Sequence, residues 1–311
     1  MSELILRTRE LTRRYGRTLA LDRASLSVEK GQILGLVGRN GAGKTTLIRL
    51  ISGQSRPTSG ELALFGAASP SALDRARSRT GVMVETPAFY PYLTAEQNLE
   101  YYRIQRGIPG RSCVDEALEL VRLTGAGKKK FKTFSLGMKQ RLGLALALMN
   151  QPEFLLLDEP INGLDPEGIV EFRELLLRLN RERQTTILIS SHLLSELSAL
   201  ATHYAFIDRG RMLETISAAD LRERCRDCLE LRVDDAARAA QVLEEQLGTR
   251  DFEVLPQERL RLYAFLDQPQ TVNRVLMEQG VGLISAQQKD SNLEDYFLSL
   301  IDGHSAGKEG V

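Results

Sequence analysis

Gly38-Arg39-Asn40-Gly41-Ala42-Gly43-Lys44-Thr45-Thr46 follows the apolar run Gln32-Ile33-Leu34-Gly35-Leu36-Val37 and precedes the helical pattern Leu47-Ile48-Arg49-Leu50-Ile51. Strand, glycine-rich turn, Lys-Thr and helix in that order spell a phosphate-binding loop. Backbone N–H groups of a turn poor in Cβ atoms can converge on anionic oxygens, and the helix behind them adds the positive end of its dipole. In such a loop Lys44 reaches the β- and γ-phosphates of a nucleotide and the Thr45 hydroxyl ligates Mg²⁺. The expected nucleotide contacts are therefore Gly38, Asn40, Gly41, Ala42, Gly43, Lys44, Thr45 and Thr46.

Working outward, Glu153-Phe154-Leu155-Leu156-Leu157 is an apolar strand that ends on Asp158-Glu159-Pro160. A strand ending in acidic residues is the magnesium-side partner of such a loop. The stretch from Lys44 to Asp158 is longer than a compact core needs, so residues near 88–150 are read as an inserted helical subdomain. Within it, 98–106 and 114–123 read as helices, and Phe134-Ser135-Leu136-Gly137-Met138-Lys139-Gln140-Arg141 opens another. Helix 167–181 leads to the buried strand Thr186-Ile187-Leu188-Ile189, and Ser190-Ser191-His192 falls at its carboxyl end. Ligands of open α/β sheets bind there, which makes His192 a ligand contact rather than a core histidine.

Upstream, residues 3–9 and 18–28 alternate as antiparallel strands around the polar turn Arg13-Arg14-Tyr15-Gly16. Tyr15 could stack on an adenine ring, or be an ordinary strand-edge tyrosine. Downstream, 59–66 is a strand ending in a turn, 71–77 a short helix, and Gly81–Pro87 a buried strand running into a proline-stopped loop. The core sheet closes around 203–214. From about 217 the order β-α-β-β-α-β emerges, the split βαβ or ferredoxin-like pattern.

Composition bounds the function. With 311 residues, 42% hydrophobic and 26% charged, the chain can bury the cores of two domains. Basic and acidic residues both number 41, which argues against a dedicated nucleic-acid binder. The longest apolar run, Leu142–Met149, falls far short of the roughly 18 residues of a membrane span. Met1-Ser2-Glu3-Leu4-Ile5-Leu6 lacks the basic-then-apolar order of a signal peptide, so a cytoplasmic location is expected. Cys225 and Cys228 have no second pair nearby, and His192, His203 and His304 lie elsewhere, so no metal cluster is expected. Lys128-Lys129-Lys130 with Lys132 reads as a solvated face.

Taken together and in this spacing, the motifs over about 4–215 resemble those of the ATP-binding subunit of an ABC transporter. The resemblance implies a P-loop NTPase (ABC ATPase) domain of the α/β class, with an antiparallel β subdomain and the inserted helical subdomain, and it implies ATP and Mg²⁺ as cofactors. Gly38–Thr46 is then similar to the Walker A loop, and Tyr15 to the adenine-stacking aromatic. Asp158 resembles the Walker B aspartate on Mg²⁺, Glu159 the general base, His192 the switch histidine and Asp165 the carboxylate of the D-loop. Ser135 and Gly137 fall where the signature loop meets ATP held by a second subunit, which implies a homodimer or pseudo-dimer of ATPase subunits.

Two departures stand out. The common signature Leu-Ser-Gly-Gly-Gln is replaced by Phe134-Ser135-Leu136-Gly137-Met138, and the usual glutamine after the strand at 82–84 is replaced by Glu85. Glu85 can still ligand Mg²⁺, at the cost of a negative charge beside the triphosphate. With Glu85-Thr86-Pro87-Ala88-Phe89-Tyr90-Pro91, these forms look like the bacitracin- and lantibiotic-resistance branch of exporters, or like drift of the loop in some other exporter subunit. The organisation expected is an ATPase domain over 1–216, a C-terminal α+β accessory domain over 217–302 and a loose tail over 303–311.

The resemblance implies a separate transmembrane permease, with this chain peripheral on the inner face of the membrane. The aromatic-rich segment 86–106, with Phe89, Tyr90, Tyr92, Tyr101 and Tyr102, is expected to form the groove that receives the permease or to pack the helical subdomain, two readings that do not exclude each other. The competing function is a soluble ABC-type ATPase acting on ribosomes or DNA; a single cassette, no heptads and zero net charge weigh against it. A P-loop kinase lacks any lid in this sequence and leaves the signature helix unexplained.

Overall fold

The computed structural model describes residues 3–84, 89–192, 194–289 and 293–306. It divides into a unit covering Met1–Ala218 together with the residues from His304 on, and a second covering Ala219–Gly303. Glu85, and with it residues 86–88 of the expected strand-to-loop passage, lies outside the described residues.

The first unit begins with β1 (Leu4–Tyr15) and β2 (Thr18–Glu29), an antiparallel pair. The turn is tighter than expected: Arg13, Arg14 and Tyr15 belong to β1, and Gly16 and Arg17 alone reverse the chain. β3 (Ile33–Val37) is buried along its whole length and feeds the glycine loop, which opens α1 (Lys44–Ile51). β4 (Ser59–Leu64) joins β1 to complete a three-stranded sheet of order β2-β1-β4. α2 (Pro70–Arg77) and β5 (Thr80–Met83) follow, β5 ending earlier than its apolar pattern suggests.

The inserted helices are α3 (Ala95–Gln105), α4 (Ser112–Leu120) and α5 (Leu136–Leu148). α3 starts three residues before the apolar pattern because Thr94 and Gln97 cap it reciprocally. The Thr94 hydroxyl accepts the Gln97 N–H at 3.2 Å and Gln97 Oε1 accepts the Thr94 N–H at 2.9 Å. Lys128, Lys129 and Lys130 are exposed, as a solvated run should be.

β6 (Phe154–Asp158), α6 (Pro166–Arg183), β7 (Thr186–Ser191), the short α7 (Leu194–Leu197), β8 (His203–Asp208) and β9 (Arg211–Ser217) complete the unit. Its main sheet has the order β5-β6-β7-β3-β8-β9, parallel except for the antiparallel edge strand β9. β3, β6 and β7 are near-continuous apolar runs because a parallel sheet is covered on both faces. Register aligns the strand ends. Val37 pairs with Ser191 and Asp158 with Ser190, so the carboxyl ends of β3, β7 and β6 come out side by side. α1 lies under them, its Leu47, Ile48 and Leu50 fully buried in one cluster with Leu36, Phe154, Leu156 and Leu188.

After α8 (Ala218–Arg224), the second unit runs β10 (Cys228–Val233), α9 (Ala236–Gln246), β11 (Phe252–Leu255), β12 (Arg259–Leu262), α10 (Pro269–Glu278), β13 (Leu283–Lys289) and α11 (Leu293–Ala306). Its sheet is antiparallel with order β11-β12-β10-β13, a split βαβ arrangement. Leu229, Leu231 and Val233 alternate inward with Leu260 and Leu262 and pack on Leu243, Val272 and Leu276 of its helices. Where a loose tail was expected from 303, α11 continues to Ala306. Cys113, Cys225 and Cys228 are unpaired, and burial pushes all three thiols up, away from reactivity.

Candidate functional site

The Lys44 side chain is 5% exposed and its Nζ sits inside the loop that precedes it, donating to Gly38 O at 2.5 Å and Arg39 O at 3.3 Å. The same Nζ lies 3.1 Å from Glu159 Oε1. Gly43 makes this geometry possible. Its φ is 110°, and a Cβ there would stand 2.8 Å from Ala20 O, so any other residue is both strained and obstructed. Ala42 is buried behind the loop, whereas Asn40 and Gly41 face solvent.

Asp158 is 4% exposed and is held by hydroxyls. Thr45 Oγ1 donates to its Oδ2 at 2.7 Å and Ser190 Oγ to its Oδ1 at 2.7 Å. The donor set suits a hard cation: a carboxylate with hydroxyl partners, beside a loop shaped for phosphates. Among the described residues no group of three or more His, Cys, Asp or Glu could hold a metal ion. Mg²⁺ does not require one, because it is commonly bound through one or two protein oxygens together with phosphates and water.

Glu159 closes β6 with φ 46°, in the left-handed region, which costs a residue with a Cβ about 1–2 kcal/mol. Ser190 supports the distortion by accepting the Glu159 N–H at 2.9 Å. The carboxylate turns toward three groups: Lys44 at Oε1, and His192 Nδ1 at 2.8 Å and Asn162 Nδ2 at 3.3 Å, both at Oε2. Burial works to raise the Glu159 carboxyl, but the His192 hydrogen bond and the Lys44 charge outweigh it and hold the group below the ordinary carboxylate range. An ionised carboxylate only accepts, so His192 carries its proton on Nδ1. The arrangement can orient and polarise a water beside an anion held by Lys44.

The remaining expected residues lie apart from this cluster. Ser135 caps α5, accepting the Met138 N–H at 3.3 Å, and Asp165 caps α6, accepting the Gly168 N–H at 3.0 Å. Ser135 and Asp165 are both exposed, and Gly137, the second residue of α5, lies beside Leu164. Tyr15 is 41% exposed; its hydroxyl pairs with Ser55 Oγ at 3.2 Å and the Arg13 guanidinium covers its ring at 4.4 Å. Arg13 thus occupies one face of the ring that sequence offered to adenine. The Ser55 bond, opposed by burial and joined by Arg13 and Arg49, pulls the phenol below its ordinary value.

The aromatic segment is buried at one end and exposed at the other. Phe89 is buried edge-on to Tyr102 (5.8 Å between centroids) and against Phe131 (5.1 Å), whereas Tyr90, Tyr92 and Tyr101 stay exposed. Buried Asn98 fixes the loop that carries Tyr90 and Tyr92, accepting the Tyr90 N–H at 2.8 Å and donating to Thr94 O at 2.9 Å.

Ser190, Asn162, Gln140 and Asn98 do not stand out in the sequence. A helical count places Gln140 on the buried face of α5 with Leu144, and a buried amide is the signal worth following.

The family described as ABC transporter matches residues 21–162. The bacitracin transport ATP-binding protein BcrA of Bacillus licheniformis is 42% identical over 303 residues, 97% of this chain and 99% of the relative. The bacitracin transport ATP-binding protein BcrA of Enterococcus faecalis is 41% identical over 301 residues, 97% of each. Among solved structures, cbiO1 of Clostridium perfringens, described as part of the ABC transporter complex cbiONQ, superimposes with a TM-score of 0.64 at 26% identity, over 71% of this chain and 91% of that one.

Proposed function

The chain belongs to the ABC transporter family of ATP-binding subunits, and from that premise we propose that it hydrolyses ATP to drive a separate membrane permease that exports a bacitracin-like peptide antibiotic. The observation that carries the reading is the meeting of Lys44, Asp158, Glu159 and His192 at the carboxyl ends of three adjacent strands. Near-full-length similarity to two bacitracin transport proteins supports the substrate class.

Lys44 exchanges the carbonyl oxygens of Gly38 and Arg39 for phosphate oxygens, and the glycine loop, from Gly38 through Thr46, offers its N–H groups to the same anion. Glu159, held ionised by His192 and Lys44, orients the attacking water and takes up its proton. His192, in contact with that carboxylate, is placed to meet the γ-phosphate. Thr45 and Asp158, with Glu85 as a further oxygen ligand, would hold Mg²⁺, which would supply positive charge to the triphosphate when bound. Tyr15 meets the adenine. Ser135 and Gly137 complete the site of a second copy, with Asp165 at the same junction.

No described helix is long and apolar enough to cross a membrane, and the permease is assigned to a separate chain on the similarity to transport ATP-binding proteins. The exposed Tyr90 and Tyr92 are the surface assigned to it, and the subunit is read as peripheral on the inner face of the membrane through that permease.

Glu159→Gln tests the reading. Nucleotide should still bind and gather two copies into a closed dimer while hydrolysis stops. Undiminished turnover in that variant would remove Glu159 as the base.

A further inference from the structure

Gly163 has φ 81°, and a Cβ built on it would stand 2.1 Å from Cδ2 of Leu136, so the Leu136 side chain rests directly on the backbone of the 162–164 turn. Leu164 Cδ2 in turn lies 3.4 Å from the Cβ position of Gly137. The first turn of α5 and the turn after Glu159 are therefore seated on each other through two consecutive contacts. Leu136 remains 49% exposed, an apolar side chain held in water by this seat. In the common signature this position is glycine, which has no side chain to reach Gly163.

One turn further along α5, Gln140 is 6% exposed and donates through Nε2 to Asn162 O at 3.4 Å, while its Oε1 is buried without a partner among the described residues. Buried side-chain amides are usually fully hydrogen-bonded, so this one is an exception that calls for a role. Asn162 then donates to Glu159 Oε2, the oxygen that His192 also contacts.

We propose that Leu136, Gly163, Asn162 and Gln140 form a lever within one chain that places the Glu159 carboxylate according to the position of the first turn of α5. The proposal rests on the reading of Glu159 as the base. A displacement of Ser135 and Leu136 pushes the 162–164 turn, and Asn162 carries the movement to the carboxylate. Each copy thereby senses whether its own signature helix is engaged before it hydrolyses its own ATP. Asn162 and Gln140 are positioning residues, acting through Glu159.

The test is steady-state ATPase kinetics and equilibrium binding of a fluorescent ATP analogue, using the full chain. Leu136→Ala and Asn162→Ala should each lower kcat by up to about 100-fold, the scale of a misplaced catalytic group, with KM and analogue affinity nearly unchanged. The double variant should be no slower than Asn162→Ala alone, because both changes cut one path. Leu136→Met, which keeps an apolar side chain on Gly163, should restore kcat. Losses that multiply in the double variant, or a KM that rises with kcat intact, overturn the lever. Turnover abolished in Glu159→Gln but intact in Leu136→Ala overturns the lever alone. Turnover surviving in Glu159→Gln overturns the base assignment and the lever with it.

Discussion

His192 Nδ1 stands 2.8 Å from Glu159 Oε2, joining the end of β7 to the end of β6. The bond fixes the carboxylate and, with Lys44, keeps it ionised despite its burial. His192→Ala is therefore expected to lower kcat by about 100-fold, a typical contribution for a group governing proton transfer. Nucleotide affinity should change little, since Lys44 and the loop N–H groups stay in place. Parallel measurement of kcat and of fluorescent-nucleotide binding checks this; loss of binding together with kcat would place His192 in ground-state recognition instead.

Asp158 touches hydroxyls of Thr45 and Ser190 at 2.7 Å each, a pair of contacts that aims both carboxylate oxygens. Asp158→Asn replaces an anionic oxygen with an amide and should raise the Mg²⁺ concentration needed for half-maximal hydrolysis. Ser190→Ala, removing the supporting hydroxyl, should raise it by about 10-fold or more, the usual effect of losing such support. Chelation with EDTA should abolish hydrolysis in the parent chain. A magnesium titration of ATPase activity reads all three, and an unshifted midpoint in Asp158→Asn would remove that residue from the metal.

Much of this is legible in residue order. The loop from Gly38 to Thr46 declares itself because only glycine tolerates the backbone at Gly43 and because Lys followed by a hydroxyl residue is the pattern of a phosphate-binding loop. Asp158 and His192 stand out because each ends an apolar run, and strand ends are where such sheets bind ligands. Ser190 stays hidden because every residue of β7 is buried, so no in–out alternation marks the one that turns toward Asp158. The Asn162–Glu159 contact depends on the left-handed φ of Glu159, which is a product of the surrounding packing and leaves no trace in composition. The hairpin turn lies later than its polar residues suggest for a related reason: Arg13 and Tyr15 look like turn residues, yet Arg13 reaches across to Arg56 O at 2.8 Å and keeps β1 extended.

Glu171 on α6 receives both Arg141 of α5 and Arg122, which follows α4, and so ties the inserted helices to the core. The Arg141 hydrogen bond, against a weaker pull from burial, holds its carboxyl below the ordinary 4.5. A depressed carboxylate stabilises the fold above its unfolded pKa, and that stabilisation fades as pH falls through the folded value. Glu171→Gln should thus cost about 1 kcal/mol at neutral pH, a modest figure because the pair is partly solvated. Urea unfolding of both proteins as a function of pH should show a constant gap above about 4.5 that closes on further acidification. A gap that widens in acid would reverse the sign of the assignment.

Phe89 and its neighbours Tyr90 and Tyr92 separate folding from partner contact. Phe89 is 7% exposed between Tyr102 and Phe131, so Phe89→Ala should destabilise the chain by about 3–5 kcal/mol. Tyr92 is 73% exposed and Tyr90 45%, the latter resting edge-on against Tyr101 at 4.8 Å. Removing these two rings should cost about 1 kcal/mol at most, since an aromatic pair contributes roughly that much beyond its area. If they receive the permease, the double change to Ala leaves basal ATP hydrolysis intact while stimulation by a co-reconstituted permease and peptide export are lost. Thermal unfolding, basal ATPase and permease-stimulated ATPase on the same preparations decide it, because a fold defect moves all three and a lost docking surface moves only the last.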